Sequence, residues 1–423
     1  MGNQHKILNY FCLVCILYVC GACTNNTHNR GIKFAENGEV LNDSLTYMSM
    51  LDDDSVTLIK LPDLNNSGSR LIYTDELIDS IWYVPLETNK QSIFGGIEHL
   101  KVHNNKVYIV DNASNSVLLF GLDGKFIKKI GRTGNAPGEY INPVNITVNA
   151  FNNRFLIYDD KRRKLLIHDL DGNFLQEKPI GFRMNDFVPL SDSAYLVNIH
   201  LSENRHIPEI AESLLLTVDT NWQIQSAGMP GSVNICSDFS HARDGIYTSA
   251  SGHLYNPTFS NTIYQYQGDT IVPKYVFDAG SMNLPPDFLC GLSFDEYIEK
   301  YDNPEAPYGF IDKPIIETDT WLITSFRFRL MNVYLFYSKD GGRYHWSIMH
   351  QMDPESKRFA TLTPIRGMTD EDTFYGYIDG VSLYNEIQRA QENQELLLGD
   401  ELTQLEPDDN PVLIFYRLKP DNG

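Results

Sequence analysis

A chain of 423 residues with a formal net charge of −21 is long enough for one large β fold or for two to three average domains. The acidity excludes a phosphate-backbone partner, because nucleic-acid binding needs a basic footprint; its spread along the chain describes a solvated surface rather than an acidic arm. Aromatics reach 12 %, with 24 Tyr and 22 Phe, gathered in short runs beside Val and Ile, which favours strands.

Residues 1–22 read as a signal peptide. Lys6 precedes an apolar run from Ile7 to Val19, broken only by Asn9, and a run of that length is too short to span a bilayer. Cys20-Gly21-Ala22-Cys23 resembles the lipobox of bacterial lipoproteins, with Cys23 as the lipidated first mature residue. Cys20 stands where that motif usually has an aliphatic residue, and an ordinary signal cleaved near Ala22 is the alternative. Residues 23–54 are polar and read as a flexible tether. Cys236 and Cys290 are then left to pair or stay free, and no C-x-x-C spacing offers a metal site.

The stretch "NNKVYIVDNASNSVLLFGLDGKFI" (104–127) is repeated 48 residues on as "NNRFLIYDDKRRKLLIHDLDGNFL" (152–175), identical at nine positions without a gap. A third copy keeps the phase at Val218-Asp219-Thr220-Asn221-Trp222. Each copy reads strand, turn, strand, Asp-Gly turn, strand, with no room for a crossover helix. Self-similarity at this period, built of antiparallel meanders, describes the blades of a β-propeller. Between the copies lies "GRTGNAPGEYINP" (131–143). It matches neither nucleotide-loop template, and its prolines leave no helix to follow. The stretch reads as the passage from the outer strand of one blade to the inner strand of the next.

Weaker copies follow near 262–280, 321–349, 372–378 and 410–418, interrupted by insertions at 199–212, 281–314 and 382–408. What remains between 55 and 418 divides into about six units of 48 residues. The expectation is therefore all-β: a six-bladed β-propeller of four-stranded antiparallel blades, seven blades being the alternative. The spacing of Leu and Ile over 382–405 adds a short helical insertion near the C-terminus. A ring must close, and "SVTLIKL" (55–61) is expected to pair with "PVLIFYRL" (411–418) in one blade.

The repeat and the Pro-Gly-Glu turn resemble NHL-type propellers. With the lipobox, "NTIYQY" (261–266) and the terminal "NPVLIFYRL", residues 55–418 resemble the six-bladed β-propeller lipoproteins of Gram-negative bacteria. That resemblance implies a fold and an address in the cell envelope, and it brings no catalytic residues. "TNNTHNR" (24–30) after Cys23 lacks an acidic cluster, so the expected location is the outer membrane through a lipid anchor, facing the periplasm, with surface exposure the alternative.

No G-x-S-x-G, Cys–His or metal-ligand spacing stands out, so no catalytic residue, metal or cofactor is assigned. Asp169-x-Asp171-Gly172-Asn173 lacks the Gly and Glu of a calcium loop and reads as a hairpin turn. The run from Asp159 to Lys164 reads as a solvated tip. His200, Arg205 and His206 stand in the 199–212 insertion, where loops carry function, although the i, i+3, i+6 spacing of His200, Glu203 and His206 suits no single helix face. Arg132 and Glu139 flank a blade-to-blade turn: either a local ion pair or ligand contacts near the channel mouth. The expected function is a binding module for an envelope protein, peptide or glycan. The alternative is a propeller enzyme of lactonase, lyase or glycan-cleaving type with metal or carboxylates at the channel mouth.

Overall fold

The computed structural model describes residues 40–419 except 53–54, 65–70, 74–76, 200–202, 232–244, 250, 286–287, 289–291, 301–306, 330, 348, 352–358, 360, 362, 370–372 and 394–397. Six four-stranded antiparallel meanders form a ring. From the inner strand outwards, blade 1 contains His99–His103, Lys106–Asp111, Ser116–Gly121 and Phe126–Lys129; blade 2 contains Pro143–Asn149, Arg154–Asp159, Lys164–Asp169 and Phe174–Pro179. Blade 3 contains Asp186–Pro189, Ala194–Asn198, Ser213–Asp219 and Ile224–Pro230; blade 4 contains Gly245–Ser249, Gly252–Asn256, Thr262–Gln267 and Thr270–Asp278. Blade 5 contains Gly309–Glu317, Trp321–Phe328, Met331–Ser338 and Arg343–Ser347; blade 6 contains Gly367–Met368, Phe374–Ile378, Val412–Leu418 and Ile78–Pro85.

The middle strands are apolar on both faces because each blade is sandwiched between two others. Lys106–Asp111 is buried at five consecutive positions, whereas the outer Phe126–Lys129 alternates between half-buried and exposed. Apolar clusters fill all six gaps between neighbouring blades. Tyr108 and Val110 meet Phe155 and Ile157 between blades 1 and 2; Tyr375 and Leu413 meet Val107 and Ile109 between blades 6 and 1. The gap between blades 4 and 5 adds a buried ionic bolt. Glu317 accepts hydrogen bonds from Tyr275 Oη at 2.6 Å and Ser249 Oγ at 2.8 Å and pairs with Lys274 and Lys339 at 2.8 and 3.1 Å. Burial alone would raise its pKa; the hydrogen bonds from Lys274, Ser251, Tyr275 and Ser249 outweigh burial and hold it near 2.

The repeated residues shape the turns. Asn104, Asn105 and Asn153 adopt the left-handed region at the first hairpin of blades 1 and 2, and Gly124 and Gly172 do so at the last. The carboxylates of Asp111 and Asp159 accept backbone N–H groups from the incoming inter-blade passage, Gly96 at 3.1 Å in blade 1 and Ile141 at 2.7 Å in blade 2. In blade 3 the phase shifts by two. Asp219 Oδ1 accepts the N–H groups of Asn221 and Gln223 as Asp169 Oδ1 accepts those of Asp171 and Asn173, so Asp219 is the counterpart of Asp169 rather than of Asp171. Trp222 takes the glycine position at φ 63°, and its stacking on Tyr195 at 4.9 Å offsets the unfavourable backbone.

Ring closure differs from the expectation. Val412–Leu418 pairs with Ile78–Pro85, not with 55–61. Thr57–Lys60 lies instead parallel to Tyr275–Asp278 on the outer edge of blade 4. The reason is that the N-terminal segment must pass several blades before it reaches the open end of the ring. Leu41–Tyr47 adds a parallel strand to blade 3, Ser49–Met50 and Thr57–Lys60 add to blade 4, and Leu71–Tyr73 pairs with Met349–Gln351 after blade 5. Residues 41–50, expected to belong to the tether, are thus part of a girdle. Met48 is buried between blades 3 and 4, in space that Gly228 leaves open, since a Cβ there would lie 2.5 Å from the Met48 Cβ.

All three insertions fall on one face of the ring. In a four-stranded meander the connections from second to third strand, and from outer strand to the next inner strand, share one side. The insertion of blade 3 joins its second and third strands, and that of blade 6 does the same through helix α2 (Gly380–Asn393). The third leads from blade 4 to blade 5 and carries helix α1 (Phe294–Lys300). Helix α2 is shorter than the 382–405 pattern suggested, and buries Leu383 and Ile387 against blades 5 and 6. Among the described residues no helix is long and apolar enough to cross a membrane.

The observed closure sets an energetic order. Ile81, 7 % exposed, sits in the closing strand, and Ile81→Ala is expected to cost about 2–5 kcal/mol. Leu58, 55 % exposed, points to solvent, and Leu58→Ala should stay within about 0.5 kcal/mol. Urea denaturation of the two variants checks this; equal losses would contradict the placement of both strands.

Candidate functional site: the axial channel

A cavity of about 620 Å³ lies on the ring axis, within the size range of small-molecule sites. Every blade contributes at or beside its inner strand: Lys101, Val144, Asn185, Tyr247, Lys313 and Arg366 in blade order. Its lining includes the start of the first inner strand (Glu98, His99) and two residues of second-to-third-strand connections, Asp160 and Glu203. These belong to the face that carries the insertions.

One side of the cavity is electrostatically closed. Arg183, just before the inner strand of blade 3, donates to both Asp160 oxygens at 2.9 and 2.8 Å and to Glu203 at 2.5 Å. Asn204 holds the backbone of Arg183 in turn, accepting its N–H at 2.7 Å and donating to its carbonyl at 2.9 Å. Burial opposes the charge on Arg183, but Asp160 and Glu203 outweigh it and raise the pKa. Both carboxylates are engaged by the fork of one guanidinium, which is a positioning clamp rather than a free acid–base pair.

The other side is cationic. Lys101 of blade 1 and Lys313 of blade 5 form no ion pair among the described residues, and the Arg366 guanidinium of blade 6 lies 5.3 Å over the Tyr377 ring. Tyr377 is fixed by its hydroxyl, which donates to the Ile97 carbonyl at 2.9 Å. Lys313 stands in a bulge where the pairing register shifts between Asp312 and Ile316. The Thr324 and Ser325 hydroxyls donate to the Asp312 and Lys313 carbonyls at 3.1 and 2.9 Å, satisfying groups that the irregular strand leaves off the ladder. Among these cations His99 is neutral: burial lowers its pKa most, Asp186 raises it, and Lys101 and Lys313 lower it further, to about 4. Asp186 also staples three inner strands, accepting from Asn145 Nδ2 at 3.1 Å and from the Ile246 N–H at 3.0 Å.

The residues singled out in the sequence lie elsewhere on this face. Arg132 and Glu139 pair at 2.5 Å, and Glu139 also accepts the Ala136 N–H at 2.8 Å. Arg132 remains 80 % exposed and neither lines the cavity, so the local ion pair is what forms. Arg205 is exposed on the insertion, and His206 contacts the Gly181 carbonyl at 3.0 Å. With Glu203 on Arg183, the spaced Glu203 and His206 do not converge; His200 lies outside the described residues, as do Cys236 and Cys290. Among the described residues no group of three or more His, Cys, Asp or Glu is placed to hold a metal. The Asp169 turn is satisfied by its own backbone. The run from Asp159 to Lys164 is not a solvated tip: Asp159 is buried on backbone amides, Asp160 holds Arg183, and Lys164 pairs with Glu177 at 2.7 Å. Sequence reading missed Lys101, Arg183, Lys313 and Arg366. Their common signal is position at or just before an inner strand, which becomes visible only once the strands are assigned to blades.

His99 gives this electrostatic picture a direct readout. Its folded pKa lies below the unfolded value, so the unfolded chain takes up the proton first and stability falls as pH drops from about 6.5 towards 4. The His99 imidazole resonance is expected to titrate near pH 4, to move up in Lys313→Met and to move down in Asp186→Asn. A midpoint near 6.5 that ignores both substitutions would contradict the charge arrangement.

The crystal structure of a Bacteroides fragilis NCTC 9343 protein described as exported has the same fold at 19 % identity, with a TM-score of 0.65 over 86 % of this chain and 100 % of that one. A member of the DUF4221 family from Bacteroides vulgatus ATCC 8482 aligns at 9 % identity over 81 % of this chain and 98 % of its own, with a TM-score of 0.46. No curated protein matches the sequence. The family model described as a domain of unknown function, DUF4934, matches residues 56–417, which takes in the girdle from Thr57–Lys60 onwards, the closing strand and the six blades: the chain belongs to the DUF4934 family.

Proposed function

We propose that this chain is a ligand-binding propeller of the cell envelope, held to the membrane by a lipid on Cys23, which captures a protein, peptide or glycan on its insertion-bearing face. One observation carries the reading: the three insertions and the mouth of the axial cavity share a face. Loops on a rigid ring can vary without disturbing the inter-blade cores, which is how a scaffold separates stability from recognition. The lipobox-like Cys20-Gly21-Ala22-Cys23 and the description of the Bacteroides fragilis protein as exported support an envelope address. An outer-membrane anchor facing the periplasm is the finer form of the proposal. It requires palmitate labelling that disappears in Cys23→Ser and protection from protease in intact cells.

The test compares the two faces. In a background with Cys236 and Cys290 changed to Ser, a polyethylene-glycol maleimide is attached to Arg205→Cys on the insertion face. The control is Phe151→Cys, in the exposed first hairpin of blade 2 on the opposite face. Retention on immobilised polysaccharides, glycosaminoglycans and envelope proteins should be lost with the first and kept with the second. Loss with the second alone, or with neither, would reject the insertion face as the binding surface.

A further inference from the structure

The inner strands of blades 5, 6 and 1 are consecutive around the ring, and each places one cation at the cavity: Lys313, Arg366 and Lys101. Nearby, Asp186 is engaged by Asn145 and the Ile246 N–H, and Asp312 accepts the Lys313 backbone N–H. In a chain of net charge −21, a contiguous arc of three cations, of which Lys101 and Lys313 form no ion pair among the described residues, needs a reason. The carboxylates of the lining do not supply one. Asp160 and Glu203 are committed to Arg183 across blades 2 and 3. Glu98 is exposed at the first inner strand, where its Oε2 accepts from Asn112 Nδ2 at 3.0 Å. Three like charges around one partly desolvated cavity raise the free energy of the empty site, and a bound anion lowers it.

The arc is also built. The bulge at Lys313 is supported by two buried hydroxyls on the neighbouring strand, Thr324 and Ser325. Arg366 is steadied by the Tyr377 ring and by its own N–H, which donates to the Tyr375 carbonyl at 2.8 Å. A planar guanidinium between two ammonium groups matches a carboxylate, sulfate or phosphate oxygen set. We infer that the axial channel takes an organic anion of up to about the size of a disaccharide or tripeptide, its anionic group on the Lys101–Lys313–Arg366 arc and its neutral part towards Asn185 and Tyr247. The inference rests on the ligand-binding reading and specifies the chemistry of its ligand.

Calorimetric titration of the full-length chain in detergent micelles tests it with pairs that differ only in charge. The pairs are digalacturonate and its methyl ester, 6-sulfated and unsulfated N-acetyllactosamine, and trialanine and its C-terminal amide; inorganic sulfate serves as the bare anion. The expected result is that at least one acidic member binds tenfold or more tightly than its neutral counterpart. That preference should be lost in Lys313→Met and in Arg366→Met, each with an unfolding midpoint no lower than that of the unsubstituted chain. The member that binds separates carboxylate from sulfate chemistry and glycan from peptide. Equal binding of acidic and neutral members, binding of inorganic sulfate only, no binding by any member, or undiminished preference in both variants would overturn it. If acidic and neutral members bind alike while the Arg205-attached polymer still blocks retention, the anion class fails and the ligand-binding reading stands.

Discussion

The structure depends on apolar packing between neighbouring blades. A single four-stranded meander cannot bury both faces of Lys106–Asp111 or Arg154–Asp159; only a blade on each side does so. Such repeats stabilise one another pairwise, and the arrangement is complete only when the last face meets the first. Near-continuous apolar strands, rather than alternating ones, are the consequence in the sequence. So is the placement of polar residues at strand ends, where Asp111 and Asp159 gather backbone amides.

Closing such a ring requires a strand from the far end of the chain. Ile78–Pro85 does this on Val412–Leu418, and Trp82 stacks on Phe415 at 5.7 Å. To reach that position from Leu41, the chain runs along the outer edges of blades 3 and 4 and then pairs with Met349–Gln351 after blade 5. Edges that would otherwise invite pairing with another chain are thereby covered. The same closure fixes the six inner strands around the axis. The cavity's electrostatics therefore belong to the ring as a whole: the cationic arc spans blades 5, 6 and 1, which meet only because the ring is shut.

The blades were legible wherever turn chemistry repeated. Asn104-Asn105, Asp123-Gly124 and their partners 48 residues on mark hairpins that only left-handed backbone permits, and the glycine passage at 131–143 joins blades as its prolines suggested. Legibility fell where packing replaced turn chemistry, as at Trp222, which holds a glycine's place through its stack on Tyr195. Ring closure was misread because Thr57–Lys60 and Ile78–Pro85 are both short β-branched runs, and local pattern does not say which edge a strand meets. The channel was hidden for a related reason. Lys101, Lys313 and Arg366 stand more than 50 residues from their nearest companion and share no motif; only the circular order of blades brings them together. Charges noticed for their local pattern, Arg132 with Glu139 and Asp159 to Lys164, proved to be engaged in holding loops.

Native-state hydrogen exchange tests the closed ring most directly. If the N-terminal strand completes blade 6, the amides of Ile78–Pro85 and Val412–Leu418 share the slowest, globally limited exchange, while the added edge strand Leu41–Tyr47 opens earlier with its own smaller free energy. Fast exchange of Ile78–Pro85 beside a fully protected Val412–Leu418 would show that the ring is shut by something else, and would contradict the account.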